Sequence, residues 1–455
     1  MKKSLCLLLV LFLALSLLPA RGQEDLWRFG FGVCDFPPDP DSPQPLYIAG
    51  YHNGETVQGI HDVCQARATW LDAGGDGVLL IGVDCVGLDR STVNRIRDAV
   101  GPIPGCARVH VYATHTHAGA DTLGLWGPIG RDGKNDLYMD AMVSACAKAA
   151  QDALSSRRSG RLCYGAVLTR GMYRDSRFPY VTDETLYQLR FEPENGENGL
   201  RLLFFGAHAE SLRGGNRLLS RDYPGALCDL VLSETGDDAQ FFPGAIGGLV
   251  MTREFVPASG ARAVENMEVT ARKLADYVHA ITPDAERILH PRLAHATVPF
   301  DVPLDNAVFA LYKVLGILGH HASTAQSATG LAVSTELSAL LLDDVALALL
   351  PGELFPELAT GEAYGSANPD GVNPRPLLDI ATEYGASALL IVGLCDDELG
   401  YIVPPSDYLV HPTVPYFERV TDQRGEDHYE ETNSVGPDCA PRLAEAFEQA
   451  MEGLR

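Results

Sequence analysis

Two histidines separated by a single residue stand at the end of an apolar run. Residues 111–119 read Val-Tyr-Ala-Thr-His-Thr-His-Ala-Gly, so His115 and His117 follow a segment typical of a β-strand. Side chains at i and i+2 of an extended strand point to one face, so we expect the two imidazoles to lie side by side at a strand exit. Imidazole is both a common zinc ligand and the usual general acid or base near neutral pH. The pair could therefore bind a metal, move a proton, or do both.

Four other apolar runs also end in side chains that could take part in chemistry, and two of them, residues 79–83 and 389–394, lead to Asp84 and to Cys395 and Asp396. Residues 202–207 lead to His208, and residues 345–350 lead through a Pro-Gly turn to Glu353. Ligands usually bind outside the carboxyl ends of strands in α/β sheets, so we expect these side chains to meet near the first pair. Two histidines and one carboxylate are the ligands of many hydrolytic zinc sites. The alternatives are a histidine hydrogen-bonded under a loop and an acid that stabilises a helix start.

The elements that must position these residues alternate along the chain. Patterns typical of strands occupy residues 77–82, 108–113, 162–169, 185–191, 200–207, 292–298, 335–341, 345–350 and 388–394. Patterns typical of helices occupy residues 90–100, 137–154, 224–233, 261–281 and 441–451. The alternation predicts an α/β fold, and the successive strands near residue 190 add antiparallel pairing. We expect one large domain, residues 23–455, with a mixed β-sheet core flanked by helices and a zinc site at the carboxyl-terminal exits of strands.

The first 22 residues have the pattern of a cleaved secretory signal. Lys2 and Lys3 precede an apolar run at residues 5–18, and small residues stand at the expected cleavage point after Gly22. The alternative is a membrane anchor, but the run is shorter than the ~20 residues that span a bilayer. No later segment is long and apolar enough to cross a membrane. We expect a mature chain that is secreted or periplasmic and has no integral membrane segment.

Charge and cysteine content exclude two further classes of protein. Removal of Lys2, Lys3 and Arg21 without any acid would make the formal net charge of −25 three units more negative. Such a chain is repelled by phosphate backbones, so we expect no nucleic-acid partner. Nine of the 10 cysteines remain after loss of Cys6, and none has Cys-x-x-Cys spacing. The sequence predicts neither a zinc ribbon nor a dense disulfide framework, although an oxidising compartment leaves room for one or two disulfides.

Several short motifs occur in one order along nearly the whole mature chain. They lie at residues 30–35, 59–62, 66–68, 114–117, 207–208, 216–225, 351–353, 400–401 and 428–430. Together they resemble the N-terminal catalytic domain of the neutral/alkaline ceramidases, which are secreted zinc amidases that split the N-acyl bond of ceramide. The resemblance implies a zinc-dependent hydrolase acting on linear amides. It does not extend to the C-terminal β-sandwich-like domain of that family.

The resemblance also implies roles for individual residues. The implied Zn²⁺ ligands are His115, His208, Glu353 and Tyr401. His117 matches the histidine that sits beside the metal and assists at the scissile carbonyl, and Tyr429 matches the tyrosine that helps to hold the developing oxyanion. An arginine that contacts the substrate falls on Arg174 or Arg177, which the sequence does not separate.

Departures from the family pattern concern the substrate. The usual Ser-Gly-Pro after the second histidine is Ala-Gly-Ala at residues 118–120, and a polar loop reads Gly-Gly at residues 247–248. Both border the expected pocket, so the substrate could be ceramide or another N-acyl lipid or amide. The alternatives are a metallohydrolase for a different amide or ester and a catalytically silent relative that binds a lipid or glycan. Candidate ligands for a second metal ion are Asp84, His61 and Asp222.

Overall fold

The structure, a computed structural model, describes residues 26–260 and 262–455, and the predicted signal sequence lies outside them. The strands are β1 Trp27–Asp35, β2 Gly59–Ile60, β3 Gln65–Asp72, β4 Gly77–Val83, β5 Cys106–Ala113, β6 Arg158–Leu168, β7 Tyr173–Arg174, β8 Thr185–Pro193, β9 Leu200–Phe205, β10 Leu218–Leu219, β11 Asp238–Pro243, β12 Met251–Thr252, β13 Arg287–Leu289, β14 Leu293–Leu304, β15 His321–Thr324, β16 Leu331–Leu342, β17 Val345–Leu349, β18 Glu353–Leu354, β19 Ala388–Val392, β20 Tyr401–Ile402, β21 Val420–Thr421 and β22 Asp427–His428. The helices are α1 Arg90–Val100, α2 Asp136–Ser155, α3 Asp222–Thr235, α4 Arg262–Ala280, α5 Ala307–Val314, α6 Pro356–Thr360, α7 Leu377–Glu383 and α8 Cys439–Gly453.

Most of the strands belong to two mixed sheets. The larger has nine strands in the order β11-β9-β8-β6-β1-β3-β4-β5, with β13 also beside β6. The smaller has five strands in the order β14-β16-β17-β19, with β15 also beside β16. Only three neighbouring pairs in these sheets, within the part of the chain that is described, run parallel: β4 with β5, β9 with β11, and β17 with β19. The candidate site residues His115, His208 and Glu353 follow strands of these parallel pairs.

The two sheets pack face to face and helices cover their outer faces. In β17, Val345 and Leu347 face the larger sheet, whereas Ala346 and Ala348 face the helices α5–α8. This alternation is the period of two expected of a strand buried on both sides. On the outer face of the larger sheet, α1 and α2 cover the end that contains β4 and β5, and α3 and α4 cover the end that contains β9 and β11. The result is four layers: helices, sheet, sheet, helices.

Side chains join the opposite edges of the nine-stranded sheet. The Tyr112 hydroxyl in β5 donates to the Phe241 carbonyl oxygen in β11 at 2.7 Å, and its ring stacks on Phe242. The Gln240 side chain bonds both the Tyr112 hydroxyl, at 2.9 Å, and the Thr69 hydroxyl in β3, at 2.6 Å. The sheet is therefore coiled so that its two ends meet. The exits of β5 and β9, far apart in strand order, come to one place.

The structure confirms the predicted α/β class, with mixed sheet and flanking helices, and the helix predicted at residues 90–100 has the same limits. The sequence did not indicate that the strands divide between two sheets. A run buried on both faces, such as residues 345–350, carries no signal for the sheet it joins.

All nine cysteines of the described ranges are free, and most are buried. Among the helices described, none combines the length and the apolar character needed to cross a bilayer.

Candidate metal centre and catalytic site

His115 lies two residues beyond the end of β5 in an unusual backbone conformation. Its φ of 64° is in the left-handed region, so the extended geometry inferred from the sequence does not hold at this position. The two rings meet nevertheless, because His115 Nε2 lies 3.1 Å from His117 Nε2. His115 Nδ1 lies 2.6 Å from the Val86 carbonyl oxygen, which can only accept. Nδ1 must therefore carry the proton, which leaves Nε2 free to bind a ligand.

A short parallel ladder brings His208 and Glu210 to the same place. Residues 115–117 and 208–210 run side by side, with their central residues bridged. The ring centroids of His115 and His208 lie 4.7 Å apart. His117 and Glu210, at the other end of this ladder, also face each other, since His117 Nδ1 lies 3.8 Å from Glu210 Oε2. His208 Nδ1 is held by a backbone carbonyl at 2.9 Å, so its Nε2 also points into the group.

A second parallel ladder supplies a carboxylate and a phenol. Glu353 in β18 pairs directly with Tyr401 in β20. Glu353 Oε2 lies 2.9 Å from His208 Nε2 and 3.5 Å from His115 Nε2, and the Tyr401 hydroxyl lies 3.4 Å from His208 Nε2. The structure thus brings together all four residues predicted as metal ligands, from four distant segments of the chain. Their assignment as ligands stays a prediction.

The chemistry of these donors fits a divalent metal ion. Ring nitrogens of His115, His117 and His208 all lie within 4.8 Å of one another. Burial raises the pKa of Glu353, but its contacts with His115 and His208 lower it more, so the pKa is far below the ordinary value and the carboxylate is charged. Burial, followed by the Glu353 charge, holds the pKa of Tyr401 well above its usual range. Imidazole nitrogens fixed by backbone carbonyls and a charged carboxylate are the ligand types that zinc selects.

His117 belongs to the same donor cluster, and two residues that the sequence analysis missed line the other side of its ring. Burial, then the neighbouring His115 and His208, lowers the pKa of His117 well below its usual value, so the ring is neutral and can accept a proton. Its Nδ1 is buried and lacks a hydrogen-bond partner, as does Glu210 Oε1. The Tyr51 hydroxyl donates to Glu210 Oε2 at 2.6 Å, and the Tyr51 ring packs edge-on against His117. Glu210 had a sequence signal, because it stands at i+2 from His208; Tyr51 had none.

Tyr429 lies at the protein surface beside the predicted ligand Tyr401. Its ring centroid lies 6.4 Å from that of Tyr401, and 36 % of the residue is exposed. The chain enters Tyr429 from β22 and turns directly afterwards into a single 3₁₀ turn at Glu430–Asn433. The side chain is therefore near the predicted metal ligands and open to solvent, as a substrate-contacting residue must be. Its catalytic role stays a prediction.

The two candidate arginines differ in position. Arg174 in β7 is exposed, whereas Arg177 is 4 % exposed. The Arg177 guanidinium donates to the carboxylates of Asp407, Glu430 and Glu431 at 2.8–3.0 Å. Its N–H groups are thus directed to the protein's own acids, two of which directly follow Tyr429. This geometry lets Arg177 fix the turn that carries Tyr429. Substrate contact by either arginine stays a prediction.

The three candidate ligands for a second metal ion do not lie together, and each of them contacts other groups of the protein. The Asp222 carboxylate accepts backbone N–H groups of the loop at residues 211–212, and Asp84 accepts the Gln65 N–H at 2.9 Å. His61 Nε2 lies 3.7 Å from Asp62 Oδ2. In residues 26–260 and 262–455, none of the three belongs to a cluster of three close donors. A different cluster, His110, Cys395 and Asp396, lies buried between the sheets, where the Asp396 carboxylate lies 2.7 Å from His110 Nδ1 and forms an ion pair with Arg97.

The class that the fold and site define is a four-layer α/β protein with a candidate metal centre at strand exits. No protein-family model matches the sequence, and no curated protein matches it by sequence comparison. Solved structures do match. The neutral ceramidase from Pseudomonas aeruginosa superposes with a TM-score of 0.71 at 16% sequence identity, over 94% of this chain and 74% of that chain. A structure described as ceramidase complexed with C2 superposes with a TM-score of 0.69 at 15% sequence identity, over 94% of this chain and 75% of that chain. The chain has a neutral-ceramidase-like fold.

A glycine keeps the space beside His117 open, and substitution of it tests that contact. Gly50 has a φ of 104°, and a Cβ there would lie 2.6 Å from His117 Cγ and Nδ1. Gly54 in the same loop has a φ of 78° but faces open space. Both alanine variants carry backbone strain, but only Gly50→Ala also collides with the ring. We expect Gly50→Ala to lower the free energy of unfolding by about 1–3 kcal/mol more than Gly54→Ala, measured by urea unfolding. Equal losses would contradict the close packing.

Glu357 in α6 gives a pH-dependent prediction. It is buried beside Arg177 and Asp175, and burial, reinforced by the Asp175 charge, raises its pKa to about 8 from an ordinary 4.5. The folded protein therefore binds this proton more tightly than the unfolded chain, so its contribution to stability is present at low pH and is lost as pH rises through 8.

The neutral isostere Glu357→Gln removes this loss. At pH 9 we expect the variant to be more stable than the parent by roughly 1–3 kcal/mol, with little difference near pH 5. The matched control is Glu362→Gln, an exposed glutamate just beyond the same helix, which should shift stability little at either pH. The measurement is urea unfolding at both pH values. A gain at pH 5 as large as at pH 9 would show that ionisation of Glu357 is not responsible.

Proposed function

We propose that this protein is a secreted, zinc-dependent amidohydrolase that cleaves the N-acyl amide bond of ceramide or a related N-acyl lipid or amide. The observation that carries the proposal is the convergence of His115, His208, Glu353 and Tyr401 at one point, with His117 beside them. The neutral-ceramidase-like fold supports it independently. The signal-like sequence at residues 1–22 supports the expected location outside the cytoplasm.

The four converging side chains would hold the zinc ion. A bound zinc ion supplies Lewis acidity, which makes a water molecule more acidic and polarises an amide carbonyl. The carbonyl contacts at His115 Nδ1 and His208 Nδ1 set the tautomers, so that each ring presents its Nε2 lone pair. The negative charge of Glu353 offsets part of the charge of a divalent ion.

The remaining residues act on protons and on the substrate carbonyl. Neutral His117 is the proton acceptor, and Nε2 is its atom nearest to the ligand group. Glu210 and the edge-on Tyr51 ring pack along the Nδ1 side of the imidazole, and Nε2 faces the ligand group. The hydroxyl of Tyr429 would donate to the oxyanion as the carbonyl becomes tetrahedral. Arg177 holds the turn on which Tyr429 stands.

Single substitutions separate metal binding from proton transfer. His208→Ala removes a ligand, so we expect loss of zinc and of activity together. His117→Ala leaves the ligands in place, so we expect near-stoichiometric zinc and a turnover lowered by roughly 10²–10⁴-fold. Elemental analysis of purified protein and steady-state kinetics measure the two effects. An exposed histidine in β15 provides the control, His321→Ala, which should change neither.

Two results would contradict these assignments. A wild-type protein purified without chelators and reconstituted with zinc, yet holding no metal, would exclude the centre. A His117→Ala protein with full activity on its best substrate would exclude the proton-transfer role.

A substrate panel tests the bond that is cleaved. We expect turnover of N-acyl sphingosines above that of N-acyl amino acids and simple esters, because the proposed substrate is a lipid amide. A chelator should abolish activity and added zinc should restore it. Faster hydrolysis of esters, with the same chelator sensitivity, would support a metallohydrolase of a different bond and contradict the amidase proposal.

A further inference from the structure

A group of exposed apolar side chains surrounds a hollow beside Tyr429. Three separate segments contribute to it: the loop before α2, the end of α5 and the loop before β21. We name it the apolar rim: Ile129, Leu311, Leu315 and Phe417 line the hollow, and Val314 lies beside them on α5, with exposures of 84%, 50%, 53%, 63% and 76% in that order. Monomeric soluble proteins expose apolar residues singly, whereas a contiguous group marks an interaction surface.

The helix α5 is apolar on two faces. Phe309 and Ala310 are buried in the core against the smaller sheet. Leu311, Val314 and Leu315, at spacings of three and four residues, form a second stripe that faces solvent. Lys313 is the one charged side chain of the helix. A helix that is apolar all round is ordinarily covered, so the outer stripe of α5 indicates a partner.

The rim is continuous with the candidate site. A hollow of about 760 Å³ is lined by Ile129, Leu311, Leu315 and Phe417 together with Tyr429. Tyr429 in turn lies 6.4 Å, between ring centroids, from the predicted ligand Tyr401. A molecule that covers the rim therefore also covers Tyr429, the neighbour of the predicted ligand Tyr401.

The charges around the rim balance. Lys313 and Glu418 carry opposite charges, as do Arg131 and Asp132 just after Ile129, and Arg419 forms an ion pair with Asp427 at 2.8 Å. No cationic cluster is found among these neighbours, and the whole chain carries a formal net charge of −25. An anionic membrane would repel such a protein, whereas a zwitterionic surface would not.

We propose that the apolar rim docks the protein onto a lipid surface with zwitterionic headgroups. The inference rests on the proposed function, because an N-acyl lipid resides in such a surface and would enter the site from the rim. A second copy of this chain seated on the rim would instead cover the exposed side of Tyr429 with protein. The docked surface delivers substrate directly to the hollow, which is the reason for placing apolar anchors there.

Vesicle binding of the full mature chain tests the proposal without relying on catalytic activity. Wild-type protein is mixed with phosphatidylcholine vesicles and separated by flotation. The rim variant places one charge at an exposed position on each of the three segments. It combines Ile129→Glu, Val314→Glu and Phe417→Glu. We expect its partition coefficient to fall at least tenfold. Adding phosphatidylserine to the vesicles should weaken binding of the wild type.

The matched control adds the same three charges elsewhere. Leu232, Ile288 and Val372 are exposed apolar residues outside the rim, and their triple glutamate variant should bind vesicles as the wild type does. Circular dichroism and urea unfolding establish that both variants fold. Equal binding by the rim variant and the wild type, or no binding by the folded wild type, would overturn the proposal. Concentration-dependent self-association that only the rim variant loses, seen by sedimentation velocity, would assign the rim to a second copy and also overturn it.

Activity distinguishes failure of docking from failure of the proposed function. On a water-soluble short-chain N-acyl substrate, the rim variant should turn over as fast as the wild type. On the same amide in vesicles, it should be at least tenfold slower. Intact vesicle binding without turnover of any amide would contradict the proposed function while supporting the docking surface.

Discussion

Closure of the nine-stranded sheet is the constraint on which the candidate site depends. β5 and β9 lie near opposite ends of the strand order, and an open sheet would hold their exits far apart. The Tyr112 hydroxyl bonded to the Phe241 carbonyl, together with Gln240 bonded to Thr69, ties the two ends through fully buried groups. Buried hydrogen bonds of this kind are costly to leave unmade, so they select the coiled form. His115 and His208 meet as a consequence.

A second joint brings in the smaller sheet. The loop after β19 forms backbone hydrogen bonds to both sheets: Ala113 N–H donates to the Leu394 carbonyl, and Cys395 N–H donates to the Leu350 carbonyl. The ends of β5, β17 and β19 are thereby fixed to one another by main-chain contacts. Glu353 and Tyr401, which leave from those ends, reach the histidines without any long flexible connection. The two short parallel ladders then set the side-chain register, because paired residues in adjacent strands lie on the same face.

The sequence could predict those parts of the site that depend on local pattern. The strand exits and residues such as His208 were visible because an apolar run stops at a polar side chain. Tyr401 had no such signal, since it stands several residues beyond β19 in the two-residue strand β20, and only the family resemblance indicated it. Glu210 and Tyr51 were missed because their importance arises from contact with His117 across 93 and 66 residues of chain. Sheet closure was likewise invisible, because Tyr112 and Gln240 look like ordinary strand residues.

Backbone strain at the strand exits shows how rigidly the site is held. His115, Leu394 and Asp396 have φ values of 64°, 50° and 68°, which cost non-glycine residues roughly 1–2 kcal/mol each. Such conformations persist only where the surroundings determine them. His115 is held by its ring contact with the Val86 carbonyl, and the Asp396 carboxylate by the Val111 N–H and Arg97. The first contact is made by a predicted ligand itself, and Asp396 stands five residues before Tyr401, so relaxing these contacts would move the His115 imidazole or the loop that leads to Tyr401. The strain is tolerated because these contacts fix the strand exits, and the fixed exits hold His115, His208, Glu353 and Tyr401 close to one another.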